Sequence, residues 1–74
     1  MLKEGQIVKL SNNKDYIVMK KISVNSFNYV FFITKDTPIE ILIGTEKMID
    51  GSIEIDEIKD NVELDYVLSL LKSN

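Results

Sequence analysis

Tyr29-Val30-Phe31-Phe32-Ile33-Thr34 is a run of six aromatic or β-branched residues, the composition that a pleated, buried surface selects. Along an extended chain Tyr29, Phe31 and Ile33 point one way while Val30 and Phe32 point the other. A strand with one wet face would alternate apolar with polar residues, and this one does not. The run therefore predicts a central strand with material packed above and below it.

Working outward, Asn25-Ser26 sits between two strand-like runs and signals a hairpin. The run before it, Tyr16 to Val24, predicts a strand with Tyr16, Val18, Ile22 and Val24 on one face, interrupted by Lys20. Ahead of that, Ser11 to Asp15 is a turn cluster and Gln6 to Leu10 a short first strand. After the central strand, Pro38 cannot donate to a sheet ladder, so the fourth strand must begin beyond it. Ile39 to Ile43 is read as that strand, with Ile39, Ile41 and Ile43 inward, Glu40 outward, and Gly44 as its end. Asp50-Gly51 favours the positive φ that a two-residue hairpin needs, so Met48-Ile49 should pair with Ser52-Ile53. Ile53-Glu54-Ile55-Asp56 then alternates cleanly, with its acids facing water.

The last element is helical. Asp60 and Glu63 have capping-box spacing, and Leu64, Val67, Leu68 and Leu71 form one apolar stripe at i, i+3, i+4 and i+7. Lys72 suits the negative end of the helix dipole. Phe31 and Leu68 are the expected core residues on the strand and the helix. The fold class is α+β and mainly β: an antiparallel meander of about five strands, an ordinary sheet size, with one C-terminal α-helix. The helix covers one sheet face. The other is covered by the sheet curling into a small SH3-like barrel, or by a second copy of the chain, which makes a homodimer the favoured expectation.

Residues 1–74 form one domain, and a chain of this size buries only roughly 60% of its unfolded surface. The chain has no cysteine and no histidine, so disulfides, thiolate metal sites and imidazole catalysis are excluded. All nine basic residues are Lys. Charge is unevenly spread: residues 1–37 hold six Lys against three acids, and residues 38–74 hold three Lys against nine acids. Met1 to Gly5 leads into no long apolar run and reads as neither signal peptide nor anchor. No run approaches the ~20 apolar residues of a membrane span, so a cytoplasmic location is expected.

The order Glu-Gly-x-Ile-Val-x-Leu (Glu4 to Leu10), Lys-Asp-Tyr-x-Val (Lys14 to Val18) and Asn-Tyr-Val-Phe-Phe-Ile (Asn28 to Ile33) resembles short uncharacterised proteins of low-GC Gram-positive bacteria and their phages. In them, too, a strand meander is followed by an acidic stretch and a Leu-rich terminal helix, here Asp60 to Leu71. The resemblance implies a phage or mobile-element origin and brings no catalytic residues.

The three glycines are isolated, so no phosphate loop exists, and the acids lack the spacing of a calcium loop. No catalytic, cofactor or metal site is read, and the chain is not expected to be an enzyme. The favoured reading is a protein-interaction domain that binds a host protein or itself through an apolar and acidic surface. Glu54, Asp56, Glu57, Asp60 and Glu63 supply its acids, which otherwise serve only as a solvated face. The alternative is a single-stranded nucleic-acid-binding barrel, with Tyr16, Phe27 and Tyr29 stacking beside Lys9, Lys20 and Lys21. The net acidity and the lack of Arg weigh against it.

Overall fold

Two tight hairpins set the architecture. Asn25 and Ser26 (φ 51° and 71°) and Asp50 and Gly51 (φ 50° and 80°) hold positive φ at both central positions. That twist matches the strands they join. The computed structural model describes residues 2–73; Met1, the first residue of the segment read as neither signal nor anchor, and Asn74 lie outside them. The elements are β1 (Ile7–Lys9), β2 (Asp15–Val24), β3 (Phe27–Thr34), β4 (Ile41–Ile49), β5 (Ser52–Glu57) and α1 (Asn61–Ser73). The strands form one antiparallel sheet in the order β1-β2-β3-β4-β5, curled into a half-barrel.

The central strand is covered on both sides, as its sequence requires. On the inner face of the curl, Val30 and Phe32 pack with Leu2, Tyr16 and Val18, flanked by Val8, Leu10, Leu42 and Ile55. On the outer face, Tyr29 and Ile43 pack under α1 against Val67 and Ile58, with Phe31, Leu64, Leu70 and Leu71 around them. Curling thus covers the face opposite the helix without a second chain.

Four local readings are corrected. Tyr16, Val18, Ile22 and Val24 do not share a face, because the β2–β3 register shifts between Val18 and Lys20. The bulged residue reverses the alternation, so Lys21 pairs with Val30 on the inner face while Ile22 and Val24 turn outward. β4 does not stop at Gly44 but continues to Ile49. A Cβ at Gly44 would stand 2.7 Å from Ile55 Cγ2 and 2.8 Å from the Asp56 carbonyl oxygen, so glycine there permits close approach of β5. Ile39 and Ile41 are not inward: they are 58% and 61% exposed, and only Ile43 of that trio is buried. On α1, Leu68 is 39% exposed whereas Val67 is 1% exposed, so the stripe packed on the sheet runs through buried Val67 and half-buried Leu64, Leu70 and Leu71. The helix starts as its sequence reads, with the Glu63 amide donating to Asp60 Oδ2 at 3.0 Å.

Candidate functional site

Strand register aligns four isoleucines. Ile7 pairs with Ile17, Ile17 with Ile33, and Ile33 with Ile41, one residue from each of β1 to β4. Directly opposed residues of antiparallel strands project to the same side, so the four form a transverse row on the outer face. The row lies beside the helix rather than under it. Ile7 is 53% exposed and Ile41 61%, while Ile17 and Ile33 are half-buried between them. Met19, at the bulge, extends the apolar surface toward Phe31 and Leu71, with which it and Lys20 line a shallow depression. Ile39 extends it past the start of β4.

The row needed both register and exposure to be seen. Each isoleucine reads in the sequence as an ordinary strand residue, and Ile41 reads as core. What exposes them is the length of α1, which covers Tyr29, Phe31 and Ile43 and stops short of the next row.

Charged side chains border this surface: Lys9 Nζ lies 3.5 Å from Asp15 Oδ1 in the next row, and Lys20 lies beside Met19. Lys14 pairs with Glu40 next to Thr34, on the inner side of the sheet. The Lys14 ammonium is held above its ordinary pKa by the hydrogen bond to Glu40 and then by that carboxylate's charge.

The acidic residues lie elsewhere. Glu54 and Asp56 face Lys47 and Thr45, and Asp56 forms an ion pair with Lys47 that raises the lysine pKa. Along β4 the outer face passes from exposed Ile41 through helix-covered Ile43 to Thr45 and Lys47. The helix therefore separates the acids of β5 from the isoleucine row, and the two do not make one continuous surface. Glu57 is exposed at the end of β5, Asp60 caps α1, and Glu63 sits in its first turn. Charge on β5 suits its position as a sheet edge, where it opposes pairing with other chains.

The residues of the nucleic-acid reading scatter over both faces. Tyr16 (2% exposed) and Lys21 face inward, whereas Lys20, Phe27 and Tyr29 face outward, with Tyr29 buried under α1. The Tyr16 hydroxyl accepts from Asn12 Nδ2 at 2.9 Å, and its ring meets Phe32 edge-on. Phe27 is exposed and stacks on Tyr29. Lys9 lies at the border of the isoleucine row, paired with Asp15. No single face gathers these aromatics with these cations.

At the mouth of the half-barrel, Leu10, Leu42, Ile53 and Ile55 line a groove of about 290 Å³ between β1 and β5. That is at the small end of ligand pockets. Its charged residues, Lys9, Glu54 and Glu57, lie on its walls. Among the described residues, no three acids cluster so as to hold a metal ion, and no helix is long and apolar enough to cross a membrane. Compared with protein-family models, curated proteins and solved structures, the chain matches none of them.

Proposed function

We propose that this domain works by binding another polypeptide and carries out no reaction of its own. The observation that supports this reading is the row Ile7, Ile17, Ile33 and Ile41, half-buried at its centre, exposed at both ends and extended by Met19 and Ile39. Scattered apolar residues are normal on a protein surface, but a contiguous patch marks an interaction site. The patch is built on paired strands, so its side chains are held in place before binding and little backbone ordering is needed. The acids of β5 and the start of α1 contribute solubility and guard the sheet edge, rather than contacting the partner.

A photo-crosslinking residue at position 41, tested in cells that produce the protein, checks this reading. The expected result is a polypeptide adduct at position 41 that is lost when Ile7→Asp is added, with none from a probe at position 54. Adducts to nucleic acid, or equal polypeptide adducts at both positions, would overturn it.

A further inference from the structure

We infer that Lys21 and Glu46, on the inner face, are positioning residues for the outer surface: they hold β1, and with it Ile7, in the isoleucine row. This rests on the row being a binding surface.

β1 has little of its own to keep it in place. It is three residues long, lies at the end of the sheet order and pairs with β2 alone. From Lys3 to Lys9 no residue is buried; Val8 is half-buried, and Ile7 is 53% exposed. Segments with so few buried apolar contacts open ahead of global unfolding. The apolar anchor before β1 is Leu2, 8% exposed in the inner core. Its backbone is gripped by charge on both sides. The amide donates to Glu46 Oε2 at 2.9 Å, and the carbonyl accepts from Lys21 Nζ at 2.7 Å. Hydrogen bonds to charged groups are the strong ones. The gripping side chains are 19% exposed for Lys21 and 2% for Glu46, so water competes poorly for these bonds.

A closed turn carries the position of Leu2 to β1. The Gln6 amide donates to the Lys3 carbonyl at 3.0 Å, the Lys3 amide donates to Gln6 Oε1 at 3.1 Å, and Gly5 supplies a φ of 87°. The segment is then stitched to β2 around Val18. The Gly5 amide donates to the Val18 carbonyl at 2.7 Å, and the Val18 amide donates to the Gln6 carbonyl at 2.9 Å. Leu2 to Lys9 therefore moves as one unit, and Ile7 loses its place opposite Ile17 once Leu2 leaves. The tie and the row lie on opposite faces of the sheet and are joined through the backbone of residues 2–7. The row thus has two states, one complete with Ile7 seated and one open at its β1 end.

Hydrogen exchange of the full chain tests this, comparing wild type, the double variant Lys21→Met with Glu46→Leu, and Val67→Ala. The double variant strands no charge but removes both grips on Leu2. Val67→Ala weakens the fold under α1 with the tie intact, and so controls for a merely structural loss. In the double variant the Gly5 and Val18 amides should exchange at least tenfold faster relative to those of Val30 and Phe32, which lie on a strand paired on both sides. In Val67→Ala the first pair should gain no speed relative to the second. The polypeptide adduct from a photo-crosslinker at position 41 should fall at least fivefold in the double variant and persist in Val67→Ala. Unchanged relative exchange at Gly5 and Val18 would overturn the proposal. So would faster exchange there with an undiminished adduct, an outcome that leaves the binding reading standing. A wild type with no polypeptide adduct at position 41 sinks the binding reading instead, and the exchange at Gly5 and Val18 then still decides whether the tie holds β1.

Discussion

Glu46 on β4 and Lys21 on β2 meet across the inner face, with Lys21 Nζ 3.1 Å from Glu46 Oε1. The Glu46 side chain is only 2% exposed and that of Lys21 19%. Both also hold the start of the chain. The Leu2 amide donates to Glu46 Oε2 at 2.9 Å, and Lys21 Nζ donates to the Leu2 carbonyl at 2.7 Å. This tie seats Leu2 in the inner core beside Val18 and Phe32. Removing one member leaves the other charge largely buried with a Leu2 backbone group but no counter-charge, so Lys21→Met or Glu46→Leu should each cost about 2–4 kcal/mol. The double variant should lose clearly less than the sum, because neither charge is then left uncompensated. Urea unfolding of the four chains checks this, and strict additivity would show that the pair is not coupled.

Gly44 gives a second expectation. A methyl group there has no room, and one of the atoms it meets is the backbone oxygen of Asp56 rather than the end of a flexible side chain. Gly44→Ala should therefore destabilise the fold by about 1–3 kcal/mol, the range for overpacking a filled site. The loss should come with weaker amide protection on β5 in hydrogen exchange, since β5 must move away. Gly51→Ala should act through φ strain alone, because nothing lies within 4 Å of a Cβ placed there.

The helix separates two neighbouring residues. Val67 is 1% exposed and Leu68 39%. Val67→Ala should cost about 1.5–3 kcal/mol from lost burial and the cavity left behind. Leu68→Ala, though it removes more atoms, should cost less than about 1 kcal/mol, as partly exposed positions do. Equal losses in chemical denaturation would mean that α1 is rotated on the sheet.

Tyr29 makes stability depend on alkaline pH. Burial disfavours its phenolate, and the nearby charge of Glu63 and then Tyr66 add to this, so its pKa is raised above the ordinary 10.0. The unfolded chain then loses its proton first. Stability from this group is complete below the unfolded value and is lost as pH rises through it toward the folded value. Lys14 and Lys47, also raised, lose their pairing in the same direction as the solution becomes alkaline. Tyr29→Phe removes only the tyrosine's share. Its stability should fall less steeply than the wild type's from about pH 9 to pH 11, and parallel curves would show that Tyr29 titrates freely.

Much of this molecule follows from local pattern. The alternation-free run Tyr29 to Thr34 demands cover on both faces, whatever supplies it. The Asn25-Ser26 and Asp50-Gly51 turns follow from residues that accept positive φ, and the Asp60 cap from an acid placed to meet free helix amides. These signals depend on one to six adjacent residues, which is why the chain reveals them without its fold. Tertiary structure decided what depends on residues far apart. One extra residue at Met19 turned the second half of β2 over, because strand faces alternate with a period of two. Close approach of β5 allowed Gly44 to lie within a strand instead of ending it. Curling of the sheet, rather than a partner, closed the inner face. The isoleucine row exists only through the registers of four strands and the short reach of one helix, neither of which can be read from the residues on either side of Ile7 or Ile41.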